Sequence, residues 1–165
     1  AAFLPLLERA CDGLQAMREV EGKTLSEELL NQRNLIATLL AKISERAPTV
    51  VAEYEARLQA RIQTLLQSAD LRVEPAELIR EIAVYAEKTD IAEEISRLSG
   101  HIEQFSQLLS ESDKPVGRTL DFLSQEMLRE ANTIASKSPN ADISRNIVEV
   151  KGAIDRIKEQ VQNVE

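Results

Sequence analysis

The sequence predicts an all-α protein, and three observations carry that prediction. Apolar residues make up 43% of the 165-residue chain but aromatic residues only 3%, so aliphatic side chains must supply the core, as in helical bundles and coiled coils. Five Gly and five Pro leave few turns, which favours long helices. No stretch alternates apolar and polar residues and no Asn-Gly or Asp-Gly pair marks a hairpin, so no strand is expected. We expect an elongated antiparallel helical hairpin joined to a small helical bundle, with a coiled-coil-like C-terminal domain.

The first half of the chain predicts successive helices with short interruptions. Residues 2–18 form the first helix, and Glu21-Gly22-Lys23 is a soft interruption. A second helix is marked by apolar residues at helical spacing, namely Leu25, Leu29, Ile36, Leu39 and Ile43. It is expected to end near Arg46, because Pro48 disfavours helical backbone at the preceding residue and can itself open a third helix.

A polar connection at 67–74 is followed by a helix that begins at Pro75. Beyond it, apolar residues repeat every four and three positions, which is typical of antiparallel helix packing: Ile91, Ile95, Leu98, Ile102, Phe105 and Leu109. Two arrangements fit this region. Either one helix runs straight through from Pro75, or a break lets Thr89 or Asp90 cap a new helix. The continuous helix is favoured.

The last fifty residues predict two more helices. A turn at 110–116 leads into a helix over 117–136, which Ser138-Pro139-Asn140 ends. Asn140 or Asp142 can cap the final helix. Its apolar seam follows a regular heptad-like spacing through Ile143, Ile147, Val150, Ile154, Ile157, Val161 and Val164.

Composition narrows the functional classes. The net charge of -8 and the pI near 4.9 argue against a general electrostatic grip on nucleic acid, although a local basic strip remains open. The single cysteine, Cys11, cannot form an internal disulfide; it is expected to be a small buried apolar residue in a cytoplasmic protein. No apolar run reaches the roughly 18 residues of a membrane span, and no signal peptide is visible.

Polar side chains form strips beside the apolar seams. One strip holds Asp90, Glu94, Arg97 and His101, and a second holds Glu126, Glu130, Thr133 and Lys137. A third holds Arg118, Gln125, Arg129, Asn132 and Ser136. If the two helices pack antiparallel, the strips face each other and their carboxylates share one groove.

Such a groove supports two interpretations. Clustered carboxylates bind hard divalent cations, His101 is a candidate general acid or base, and arginine or lysine side chains hold phosphate oxygens. Alternatively, acidic and basic residues at this spacing form a solvated helix face with weak ion pairs, and a lone histidine lies at a surface or an interface. Spacing alone does not choose between them, and no zinc spacing, glycine-rich phosphate loop or nucleophile elbow is present.

The chain resembles the bacterial YicC/YloC family over nearly its whole length. The run GRTLDFLSQEMLREANTIASKS matches the pattern G-R-x-L-D-F-x-x-Q-E-x-x-R-E-x-N-T-x-x-S-K-S, and the chain closes with EQVQNVE, as family members do. Upstream, DIAEEISRLSGH is similar to D-I-x-E-E-x-x-R-L-x-x-H. These motifs are long and ordered, which makes the resemblance specific.

The resemblance implies a cytoplasmic, stress-induced endoribonuclease that depends on Mn²⁺ or Mg²⁺, cleaves RNA in RNA turnover and assembles as a homo-oligomer, a hexamer for the full-length protein. It also implies that this chain is a C-terminal fragment without most of an N-terminal domain that completes the activity. Residues 1–46 would be the helical end of that domain, 47–80 a connecting helix and linker, and 81–165 the C-terminal helical domain. The alternative function is a non-enzymatic helical oligomerisation module that positions RNA or a protein partner.

The resemblance also assigns roles. His101, Glu94 and Arg97 would be catalytic, and a divalent metal would be held by Glu94, Glu126, Glu130 and Asp90. RNA would be bound by Arg118, Gln125, Arg129, Asn132 and Lys137.

Overall fold

The computed structural model describes residues 3–68, 74–111 and 115–162, with the side chains of 65–68 and 111 left aside. Those residues form five helices: α1 (Phe3–Ser68), α2 (Pro75–Thr89), α3 (Ala92–Glu111), α4 (Gly117–Lys137) and α5 (Ala141–Val161). No strand occurs within the described ranges. The all-α prediction is confirmed.

Helix α1 is longer than the sequence predicts. Its 66 residues span roughly 100 Å at 1.5 Å per residue, without interruption at Gly22 or at Pro48, so the predicted helix ends were wrong. A proline inside a helix costs about 3 kcal/mol, because it removes one backbone hydrogen bond and crowds the preceding turn. Two features offset that cost. Ile43 and Val50 are buried on either side of the proline, and the Arg46 guanidinium spans this turn to reach Glu53, with Nη2 2.9 Å from Oε2.

The break between α2 and α3 is real, so the favoured continuous helix was wrong and the alternative holds. Asp90 is extended, and its Oδ1 accepts a hydrogen bond from the Ala92 amide at 3.0 Å. The next residue, Ile91, is only 2% exposed. Burying Ile91 in the bundle requires a change of direction that a straight helix does not allow.

Helix α2 forms an antiparallel hairpin with the distal part of α1. Tyr54 and Tyr85 stack with ring centroids 3.6 Å apart, and the Tyr54 hydroxyl donates to Glu81 Oε1 at 3.3 Å. Removal of the Tyr54 phenol from water is the main reason that its pKa is raised; the nearby Glu81 carboxylate adds to the effect. No residue of α2 is fully buried, so this hairpin is a thin extension of the fold.

The remaining helices close into a four-helix bundle. The middle of α1 packs on α5, α5 on α4, α4 on α3, and α3 again on α1. Two contacts set the antiparallel register of α1 and α5: Arg46 Nε lies 3.5 Å from Asp142 Oδ2, and Arg156 Nε donates to Gln32 Oε1 at 3.0 Å. The core is aliphatic apart from Phe105 and Met127, as the low aromatic content predicts.

The predicted apolar seams lie in this core. Every seam residue of α5 from Ile143 to Val161 is buried, whereas Val164 falls outside the described residues. Asn140 caps α5, since its side-chain oxygen accepts from the amides of Asp142 and Ile143. Cys11 is exposed on α1, so the expectation of a buried cysteine was wrong.

Candidate functional site

Two of the predicted polar strips meet between α3 and α4. Lys137 Nζ donates to Glu94 Oε1 at 2.8 Å, and Arg97 Nη1 lies 3.8 Å from Glu130 Oε2. The carboxylate side chains are nearly covered, with 6% of Glu94 and 8% of Glu130 exposed. We call this arrangement the α3/α4 polar seam; it comprises Glu94, Arg97, His101, Glu126, Glu130 and Lys137.

The seam is held by charge pairing, because a carboxylate removed from water needs a cation or several donors nearby. The hydrogen bond to Glu94 is the largest cause of a raised pKa at Lys137; partial desolvation opposes it, and the charges of Asp90 and Glu93 add to it. The Lys137 side chain is still 37% exposed, so its ammonium group lies at the mouth of the seam. A cation in that position can meet an anionic ligand from solvent.

Two atoms in the seam lack a hydrogen-bond partner among the described residues. These are Glu94 Oε2 and His101 Nδ1, both shielded from solvent. The antiparallel register that aligns Arg97 with Glu130 places His101, one turn further on, level with Glu126. Unpaired buried polar atoms are rare in folded proteins and often belong to sites that bind a ligand.

The other residues with predicted catalytic or metal roles have local partners. One oxygen of Asp90 caps α3, as described above, and Glu126 Oε2 lies 3.8 Å from Arg129 Nη1. Within residues 3–68, 74–111 and 115–162, no three His, Cys, Asp or Glu side chains converge closely enough to hold a metal ion. The four carboxylates predicted as ligands thus do not converge on one point among the described residues, and their role in metal binding stays a prediction.

The third predicted strip forms an exposed face of α4 beside the strip that meets α3, since Arg129 of the third strip lies 3.8 Å from Glu126 of the second. Gln125, Arg129, Asn132 and Ser136 line a shallow, open face together with Leu128 and Thr133. Gln125 Nε2 donates to Asp121 Oδ2 at 2.8 Å, which holds the amide in place. Arg118 is exposed near the start of the same helix. This face presents cations and amides directly to solvent, as a surface that contacts a nucleic-acid backbone must.

One feature was missed by the sequence reasoning. A cleft between α1 and α3 is lined by small side chains of α1, Ala37, Ala41 and Ser44, and the shielded Nε of Arg33 lacks a hydrogen-bond partner in the described ranges. The spacing of these small residues by four and three positions was the available signal. Small residues, however, carry little weight in an apolar stripe.

Comparison with known proteins assigns the family. Residues 43–165 match the family described as endoribonuclease YicC-like, C-terminal. The chain is 39% identical over 159 residues to the probable endoribonuclease YicC of Clostridioides difficile (strain 630), covering 96% of this chain and 54% of the relative. It is 37% identical over 150 residues to the probable endoribonuclease YicC of Haemophilus influenzae (strain ATCC 51907 / DSM 11121 / KW20 / Rd), covering 91% of this chain and 50% of that relative.

The chain therefore belongs to the endoribonuclease YicC-like, C-terminal family, and the predicted resemblance is confirmed. It spans about half the length of the curated relatives it matches. Among the described residues, no helix combines the length and the apolar character needed to cross a membrane.

Proposed function

We propose that this chain carries RNA-cleaving residues of an endoribonuclease and acts in the cytoplasm as part of a homo-oligomer, a hexamer for the longer protein. The observation that carries the proposal is the α3/α4 polar seam, in which two carboxylates less than a tenth exposed face cations across the helix pair, with His101 one turn beyond Arg97 on α3. The names of the relatives support RNA cleavage as the activity of the family.

Cleavage of an RNA phosphodiester needs a group that moves a proton and positive charge at the phosphate. His101 is the proton-transfer group of the proposal, because an imidazole ring can donate at one nitrogen and accept at the other, and Nδ1 has no hydrogen-bond partner among the described residues. Arg97 and Lys137 supply positive charge at the edge of the seam, where both side chains remain partly exposed. Glu94 orients Lys137 through their hydrogen bond.

The exposed face of α4 would bind the RNA strand. Arg118 and Arg129 contact phosphates, and the side chains of Gln125 and Asn132 contact sugars or base edges. With a net charge of -8, binding by this chain alone is expected to be weak at physiological salt and to weaken further as salt rises.

Dependence on Mn²⁺ or Mg²⁺ remains a prediction. The roles assigned above use no metal ion. Cleavage in the presence of Mn²⁺ and then of EDTA tests the dependence directly. Activity that survives EDTA would contradict it.

The central experiment measures cleavage of a labelled single-stranded RNA by this chain and, side by side, by a longer form with the additional length of its relatives. We expect His101→Asn to reduce the rate by about two orders of magnitude or more, as loss of a proton-transfer group does. Glu149→Gln, on the exposed face of α5, is the matched control and should leave the rate unchanged. An undiminished rate in His101→Asn would place the chemistry outside the seam.

A second candidate function is favoured by the pairing itself. Each buried carboxylate of the seam faces a cation on the neighbouring helix, which is also how a purely structural interface is built. In that case the chain is an oligomerisation module that positions RNA or a protein partner. Glu130→Gln distinguishes the two: a lower assembly mass by light scattering favours the module, whereas lost cleavage at unchanged mass favours the nuclease.

A further inference from the structure

The exposed face of α4 carries one aromatic ring among its polar side chains. Phe122 is 59% exposed, whereas Phe105, in the core, is 0% exposed. The chain has only three phenylalanines and no tryptophan, and it leaves this ring largely in water. Packing of α4 on α3 and on α5 keeps most of the residue outside the core, so the bundle does not explain the choice of an aromatic side chain here.

Phe122 belongs to a single stripe that runs along α4. Thr119 aside, every exposed residue of this helix falls on the stripe, at spacings of four and three positions: Arg118, Phe122, Gln125, Arg129, Asn132 and Ser136. The stripe therefore presents two arginines, two amides, a hydroxyl and a phenyl ring, and no carboxylate. In a chain whose net charge is -8, it is a local cationic surface.

The two half-buried carboxylates of α4 are engaged with side chains of the stripe. Asp121 Oδ2 accepts from Gln125 Nε2 at 2.8 Å, and Glu126 Oε2 lies 3.8 Å from Arg129 Nη1. The second contact is long and leaves the Arg129 side chain 75% exposed, so its guanidinium keeps donors for a ligand. Arg118 is exposed one turn before the ring, about 6 Å along the helix axis, and Arg129 lies about 10 Å beyond it.

We infer that Phe122 stacks on an unpaired base of single-stranded RNA while Arg118 and Arg129 bind phosphates of the same strand. The cationic stripe selects an anionic polymer, and the ring selects one whose base faces are accessible. A duplex covers its base faces with neighbouring base pairs, so a ring on a helix surface does not reach them. The inference rests on the proposed RNA-cleaving function and adds a substrate class to it: unpaired strands, with little discrimination among the four bases, because every base has a face that stacks.

Binding of a fluorescently labelled single-stranded RNA to the 165-residue chain, measured by anisotropy at low salt, tests the ring directly. We expect Phe122→Ala to raise the Kd about fivefold or more, as loss of a base-stacking aromatic side chain does. The Kd for a duplex of the same sequence should not change. Val148→Ala, at a similarly exposed apolar residue of α5, is the matched control and should bind RNA as the unsubstituted chain does. An unchanged Kd in Phe122→Ala, or no RNA binding by the chain at all, would overturn the inference.

Two further substitutions separate base stacking from apolar packing against a protein partner. Phe122→Leu keeps an apolar side chain but removes the aromatic face, and Phe122→Trp enlarges that face. We expect Phe122→Leu to lose about as much RNA affinity as Phe122→Ala, and Phe122→Trp to bind at least as tightly as the unsubstituted chain. If Phe122→Leu bound RNA as tightly as the unsubstituted chain, stacking would be excluded and an apolar contact with a protein would be favoured.

The Phe122→Trp variant also reports on the contact itself, since the chain contains no other tryptophan. A base stacked on the indole ring quenches its fluorescence, so saturating single-stranded RNA should lower the emission and duplex RNA should not. Unchanged emission at an RNA concentration that saturates the anisotropy signal would overturn the inference.

A comparison with His101→Asn separates this inference from the proposed cleavage. If His101→Asn abolished cleavage while Phe122→Ala bound RNA as tightly as before, stacking would be refuted and the proposed function would stand. If Phe122→Ala lost RNA affinity while His101→Asn cleaved saturating RNA at an undiminished rate, stacking would be supported and the chemistry would lie outside the α3/α4 polar seam.

Discussion

Helix α4 has two interfaces of opposite character. Toward α5 it meets a helix whose apolar seam is buried, with Ile147 and Ile154 at most 1% exposed. Toward α3 it meets the polar seam, where Glu94 and Glu130 are buried as ion pairs. Apolar burial contributes about 25 cal/mol per Å², whereas a buried ion pair roughly balances its gain against desolvation. The aliphatic contacts between α4 and α5 therefore contribute to stability, whereas the polar seam between α3 and α4 retains charges that stability does not require.

The largest effect is expected in the apolar interface. Ile154→Ala removes a fully buried side chain and should lower the free energy of unfolding by about 2–5 kcal/mol. Val148→Ala, on the same helix but 66% exposed, should change it by less than about 0.5 kcal/mol. Chemical denaturation monitored by circular dichroism measures both values. Equal losses of stability for the two variants would contradict the assignment of stability to the buried apolar contacts.

Removing only the cation of the Glu94–Lys137 ion pair tests the contrast between the two interfaces of α4. Lys137→Met leaves Glu94 buried without its cation, so we expect a lower melting temperature, by less than for Ile154→Ala because water reaches the mouth of the seam. The double variant Glu94→Leu/Lys137→Met should recover most of the loss while cleavage stays impaired. If the double variant were as unstable as Lys137→Met, the ion pair itself would stabilise the fold, which would contradict the comparison.

An intermediate effect on the free energy of unfolding is expected at the connection between α4 and α5. Asn140→Ala removes the side chain that accepts hydrogen bonds from the Asp142 and Ile143 amides, and should cost about 1 kcal/mol. Asn132→Ala, in the exposed middle of α4, is the stability control and should be neutral. A neutral result at Asn140 would show that α5 is held by packing alone.

The smallest expected effect is the dependence of the melting temperature on pH. Because the pKa of Lys137 is raised in the folded protein, its pairing stabilises the fold fully below the ordinary lysine value of 10.5 and loses that contribution as pH rises through the raised pKa. The melting temperature of the unsubstituted chain should therefore approach that of Glu94→Leu/Lys137→Met only in strongly alkaline buffer. A difference between the two that stays constant up to pH 11 would contradict this assignment.

The facing of the two polar strips was predictable from the sequence, but the individual ion pairs between them were not. Spacing alone indicated that the strip with Glu94 and Arg97 would face the strip with Glu130 and Lys137, because helical period and antiparallel packing follow from local pattern. Which carboxylate meets which cation depends on helix register, which no single helix encodes. For that reason the expected cluster of four carboxylates resolved into separate ion pairs and a helix cap.

The sequence by itself determined the helical class, the apolar seams of α3 and α5, and the Asn140 cap, since all of these depend on residues within a few positions of one another. Only the tertiary structure decided that α1 passes through Pro48, that the chain breaks at Asp90, and that Cys11 lies exposed. In each case the local preference was weak, at most a few kcal/mol, and contacts with distant parts of the chain, or their absence, outweighed it.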